Sequence, residues 1–164
     1  MSSKSDKKII VVDRDKLFNN GVDFFEGFRA SDEIDYESRI VENIQVMRRG
    51  STDEDPNHPE GNAELNPKYK QPISYAVIFN PKIKKGFAYQ RASNNKDYSE
   101  KRLQGKWSWG FGGHIEPKDG SENPIRESLI REVIREEVEI KGKIKEPRVL
   151  GYIYHDHGVH QVHF

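Results

Sequence analysis

The stretch from Trp107 to Ile140, WSWGFGGHIEPKDGSENPIRESLIREVIREEVEI, decides how the chain reads. It joins a short aromatic strand, a glycine-bearing loop and a helix rich in glutamate. From Pro124 to Ile140 that helix carries Glu127, Glu132, Glu136, Glu137 and Glu139, interleaved with Arg126, Arg131 and Arg135. Several carboxylates on one helical face repel one another unless arginines or metal ions lie between them. Hard divalent cations such as Mg2+ take oxygen ligands and tolerate a few carboxylates plus water. Trp107 and Trp109 alternate about Ser108, so both indoles belong on one face of a strand. Gly110, Gly112 and Gly113 follow, and let the backbone approach a ligand closely.

Working outward, GGHIE followed by a loop and then by RE and EE on a helix resembles the Nudix box. Gly113 matches the opening glycine of that pattern and Asp119 its first acid. Arg131-Glu132 matches the RE pair, with Ser128 at the small position before it. Glu136-Glu137 matches the EE pair and Ile140 the last aliphatic. The copy departs from the pattern in three ways. The loop between Asp119 and Arg131 is four residues too long, three residues rather than two separate RE from EE, and Glu139 replaces the closing glycine.

The resemblance covers the second half of the chain and implies an α/β fold, a Nudix-type α/β/α sandwich with a mixed sheet. The chain stops at Phe164 inside an expected strand, so the C-terminal strands and second helix of such a domain are expected to be missing. The implied activity is pyrophosphohydrolase chemistry, attack of water on phosphorus in a nucleoside diphosphate linked to another group. The implied metal ligands are Glu132, Glu136 and Glu137, holding Mg2+ or Mn2+. Arg131 would lie among the acids, and Glu116 is a further ligand or a base for water. Gly112 and Gly113 would shape the loop. Arg91, ending a strand, would grip substrate phosphate with its planar donors.

Helix geometry tests the extra residue between RE and EE. At about 100° per residue, an unbroken helix places Ile125, Leu129, Val133 and Ile134 on one apolar arc, with Glu132 and Glu136 beside it. Glu137 then falls within the arc, where an uncompensated charge is costly. A π-bulge near Ile134–Arg135 would turn Val138 into the core and bring Glu136 and Glu137 to the face of Glu132. A straight helix would leave a thinner metal face of Glu132, Glu136 and Glu139. A charge-rich helix that binds no metal is the plainest alternative.

The rest of the chain sets bounds. Its 164 residues carry 27 basic and 27 acidic side chains, a balance that gives no global field for nucleic acid or an acidic membrane. With no cysteine there is no disulfide, thiol nucleophile or cysteine-bound zinc. No segment reads as a signal peptide or membrane span, and a cytoplasmic protein acting on a small molecule is the expectation. The order expected is a strand and helix in residues 1–50, a polar, irregular, mobile linker in 51–70, and the Nudix-like part in 71–164.

Within that order, Lys8–Phe18 reads as a strand, Asn19–Gly21 as a turn, and Phe24, Phe25 and Phe28 as core. Asp35–Arg49 has helical spacing, with Ile40, Ile44 and Met47 on one face. Pro81–Gly86 reads as the turn of a hairpin, and 93–106 as a basic loop. Val149–Tyr154 and Val159–Phe164 bracket a second hairpin turn, His155–Gly158. Clustered His155, His157, His160 and His163 invite a zinc reading, but alternation places His160 and His163 on opposite faces, so polar turn residues are expected. A Nudix-like module that senses a nucleotide or protein without catalysis remains the alternative to the enzyme, and a structural domain of a larger assembly is a third.

Overall fold

The computed structural model describes residues 4–57, 59–92, 103–119, 122–132, 143–157 and 162–164. β1 (Lys8–Asp13) is the central strand, and Ile9, Ile10, Val11 and Val12 are each no more than 3% exposed. Four β-branched residues buried on both faces suit a strand with a neighbour on each edge. The strand ends at Asp13 rather than Phe18. The Asp13 carboxylate accepts hydrogen bonds from the backbone N–H of Asp15 and Lys16 and so caps a one-turn helix, α1 (Arg14–Leu17). Asn19, Asn20 and Gly21 then turn the chain with positive φ. Phe24 and Phe25 fold back on Phe18, with ring centroids 5.4 and 6.3 Å away. Phe28 departs from expectation: in β2 (Gly27–Ala30) it is 63% exposed. Its ring lies over Gly151 instead of in the core.

The expected long helix is divided. α2 (Tyr36–Glu42) is capped by the Asp35 side chain and ends at Asn43, and the chain continues as β3 (Ile44–Arg48). β3 pairs antiparallel with β1, from Ile44 opposite Val12 to Arg48 opposite Lys8. Ile44 and Val46 favour a strand, and the ladder satisfies one edge of β1. The segment after Gly50 is irregular but anchored. Arg48 pairs with Glu54, Arg49 Nε donates to Glu64 Oε1 at 3.0 Å, and Asn62 is buried beside Gly50. It ends in β4 (Tyr69–Lys70), on the other edge of β1.

Next come β5 (Ile73–Val77), β6 (Phe79–Asn80), β7 (Lys85–Gly86), β8 (Tyr89–Gln90), β9 (Trp107–Ser108) and β10 (Gly110–His114). β6 and β7 close the expected hairpin, β8 pairs with β9, and β5 pairs with β10. Ile10 N–H donates to Ile115 O at 2.8 Å, tying the end of β10 to the central strand. After α3 (Pro124–Leu129), β11 (Gly151–Tyr154) pairs antiparallel with β2. Among the described residues, 151–154 and 162–164 thus pair with other segments rather than with each other as the expected second hairpin. Residues 162–164 lie along Gln71–Ile73 through a parallel bridge between Gln71 and His163. Tyr154 and Phe164 each dock separately on Phe18, with ring centroids 4.9 and 5.7 Å from it. That aromatic cluster, with Tyr36 and Ile40, is the main core.

Candidate active site

α3 begins where Asn123 accepts a hydrogen bond from Arg126 N–H at 3.1 Å, with Pro124 in the first turn. Ile125 packs against the aromatic core. Ser128 is fully buried against β5, its Oγ 3.1 Å from Ser74 Oγ, so two small residues bring helix and sheet close. Past Leu129 the helix widens into a π turn at 130–132. The bulge expected near Ile134–Arg135 lies outside the described residues, and so do Glu136, Glu137 and Glu139.

Arg131 is the hub of the site. Its Nε and Nη2 donate to Asp119 Oδ1 and Oδ2 at 2.5 and 2.8 Å, a bidentate pair. Nη2 also reaches the His114 carbonyl at 3.2 Å, and Nη1 donates to Glu132 Oε1 at 2.5 Å. Hydrogen bonding to Asp119 pushes the Arg131 pKa up against burial, and Glu132 adds to the shift. Asp119 is only 5% exposed; burial alone would raise its pKa, but the Arg131 hydrogen bond and the Glu116 N–H carry it below the usual carboxylate value. The Glu116 N–H bond, 2.7 Å to Asp119 Oδ2, closes the loop between β10 and the helix.

Gly113 faces the helix from β10. A Cβ there would stand 2.6 Å from Glu132 Cδ and under 3 Å from both carboxylate oxygens. The glycine therefore makes room for the Glu132 carboxylate on the sheet. Gly112, on the opposite face, serves the sheet itself: its missing Cβ leaves space for the Ser74 carbonyl and the Tyr75 ring. Glu116 lies 3.3 Å from Lys7 Nζ, 3.2 Å from Lys118 Nζ and 3.9 Å from Arg131 Nη1. Burial raises its pKa, but the two lysines outweigh this and lower it, which makes Glu116 a weak base. Arg91 follows β8, its guanidinium 5.8 Å from the Tyr89 ring centroid. Tyr89 in turn stacks on Phe111, the neighbour of Gly112, at 4.7 Å. Trp107 and Trp109 are 67% and 69% exposed while Ser108 is buried, as the alternation requires.

The structure thus gathers Arg131, Glu132, Asp119, Gly113 and Glu116. Lys7 was not legible from sequence, because 109 residues separate it from Glu116. Among the described histidines, His155 and His157 lie exposed near Glu26, at 3.9 and 3.0 Å. His163 instead meets His114, with ring centroids 5.7 Å apart. Burial and the charges of Arg49, His163 and Lys7 push the His114 pKa down to about 3, so its imidazole is neutral. Among the described residues, no helix is long and apolar enough to cross a membrane.

No protein-family model matches the chain. The crystal structure of Tm1382, described as a candidate Nudix hydrolase, aligns with a TM-score of 0.67 at 24% identity, covering 96% of this chain and 72% of that one. The architecture is accordingly a mixed α/β fold of the Nudix-hydrolase kind. The Bacillus subtilis (strain 168) protein YmaB is 32% identical over 167 aligned positions, covering 98% of this chain and 73% of YmaB. The chain belongs to the same family as YmaB.

Proposed function

We propose that the chain is a Mg2+- or Mn2+-dependent hydrolase of a nucleoside diphosphate linked to another group. The observation that carries this reading is the Glu132 carboxylate seated in the space of the absent Gly113 side chain, beside the Arg131–Asp119 pair, on a Nudix-like fold. The donor set fits a hard cation: Glu132 and Glu116 offer only carboxylate oxygen, and Glu136 and Glu137 follow four and five residues after Glu132 in the sequence. Glu132, Glu136 and Glu137 would hold the ion, which when bound neutralises diphosphate charge and lowers the pKa of a water.

The chain's own residues have separable tasks. Arg131 stays protonated and fixes Glu132 by a charge-assisted hydrogen bond. Asp119 holds Arg131 in turn, and its acceptance of the Glu116 N–H sets the loop. Glu116, paired with Lys7 and Lys118, acts as a fixed anion at the edge of the site, so the base falls to a box glutamate. Arg91 would bind phosphate.

One observation favours a second reading, a nucleotide-sensing module without catalysis. Protein cations already face both described carboxylates, Arg131 at Glu132 and two lysines at Glu116. The deciding experiment is a panel of nucleotide sugars, dinucleoside polyphosphates, NADH, ADP-ribose and nucleoside triphosphates, assayed with Mg2+ and Mn2+. Hydrolysis of at least one is expected, and Glu132→Gln or Glu136→Gln should reduce it on the order of a hundredfold or more with the fold intact. Binding without turnover in any assay would establish the sensing module instead. Gly113→Ala should displace Glu132 and lower hydrolysis on the order of tenfold, with less than about 1 kcal/mol lost in denaturant unfolding, because a flexible side chain is what must yield.

A further inference from the structure

β10 presents different chemistry on its two faces. Gly113 looks to α3, while the next residue, His114, lies with Glu64 and His163. Ligand atoms of Glu64, His114 and His163 all lie within 4.8 Å of one another. We propose that these three residues form a binding site for a divalent cation of the Zn2+ type, separate from the carboxylate site on the helix face. Two imidazoles and one carboxylate suit a borderline-soft ion rather than Mg2+. Tetrahedral Zn2+ with bonds of about 2.0 Å needs ligand atoms about 3.3 Å apart. The 3.9 Å between Glu64 Oε2 and His163 Nε2 is therefore within reach of small side-chain rotations.

The surroundings are those of ligands held by outer partners. Glu64 Oε1 accepts from Arg49 Nε at 3.0 Å, which fixes the carboxylate while Oε2 is the oxygen nearest His163. Gln71 Oε1 lies 2.7 Å from His114 Nε2, a contact that orients the imidazole. Gln71 supplies a second, independent sign. Its side chain is fully buried, and its amide nitrogen has no hydrogen-bond partner among the described residues. A buried donor of this kind calls for an acceptor, and a water or anion on the open fourth position of the ion would supply one. The cation would also tie the polar segment at Glu64 to His163 and to the end of β10, three segments far apart in sequence.

The test is Zn2+ titration of the chelator-treated full chain, read by calorimetry and thermal unfolding. With millimolar-range Mg2+ present to occupy the carboxylate site, expected are one saturable Zn2+ site and a rise in Tm on the order of 5 °C with excess Zn2+. Glu64→Gln and His163→Ala should each weaken binding about tenfold or more. Glu64→Gln nearly preserves shape, so its circular dichroism spectrum separates lost ligation from lost folding. Glu132→Gln should leave Zn2+ affinity unchanged. Absence of saturable binding, binding unaffected by Glu64→Gln and His163→Ala, or binding abolished by Glu132→Gln would each overturn the proposal. None of these readouts depends on hydrolysis.

Discussion

Among the described residues, two buried cations are held in opposite ways. Arg131 is 9% exposed and held by both oxygens of Asp119, a neighbouring carboxylate and a carbonyl; its pKa rises. Lys70 is 1% exposed, but its Nζ lies 3.9 Å from Asp156 and 5.3 Å from the Tyr154 ring centroid. Burial pulls its pKa down to about 8, and Asp156 only partly opposes this. Depth alone therefore does not decide whether a buried charge is stable. Planar two-point pairing outweighs burial at Arg131, whereas burial outweighs the Asp156 charge at Lys70.

Three substitutions would break or sharpen that contrast. Arg131→Met should have the largest effect, about 3–5 kcal/mol of lost stability in denaturant unfolding, because it strands Asp119 as an unpaired buried carboxylate. A loss below about 1 kcal/mol would show that the pairing adds little. Asp119→Asn should cost less, about 2 kcal/mol, since an amide oxygen can still accept one bond from Arg131. It should also change the acid limb. The Asp119 pKa is depressed in the folded chain, so its stabilisation is present above the unfolded value of 3.8 and is lost as pH falls through the lower folded value. Acid titration of the wild type should show this loss, and Asp119→Asn should flatten it.

Lys70→Met should have the smallest effect, within about 1 kcal/mol at pH 7, because it removes a desolvation cost and the attraction to Asp156 together. The alkaline limb provides the check. Between about 8 and the unfolded value of 10.5, the unfolded chain keeps a proton that the folded chain has released. Wild-type stability should therefore gain from this group as pH rises through that window, and Lys70→Met should remove the gain. A wild type whose stability is flat there would mean that the folded chain holds this proton as firmly as the unfolded one.

Where the sequence was informative, the relevant interactions were local. The Gly113 position beside the helix, the buried Ser128 and the Arg131–Glu132 pair follow from a short run whose residues meet within one local unit, although the glycine stretch read as a loop is strand β10, because its backbone pairs with β5. The turn at Asn19–Gly21 and the hairpin over Pro81–Gly86 were legible for the same reason. The errors came from non-local pairing. Ile40, Ile44 and Met47 fit a helix by spacing, but the open edge of β1 claims Ile44–Arg48 as a strand. Residues 149–154 and 162–164 have strand-like alternation, yet β2 and Gln71 are their partners, which no hairpin rule anticipates. Lys7 at Glu116, and Glu64 beside His163, required the assembled fold.

Alternation along β10 has a consequence for evolution by insertion and deletion. Because successive residues face opposite sides, removing one residue from Gly110–His114 would rotate every later position through a half-turn. The space that admits Glu132 would then open away from the helix, and an imidazole would crowd that carboxylate. A single codon lost in this strand should thus disable both faces together while leaving the aromatic packing around Phe18 largely untouched.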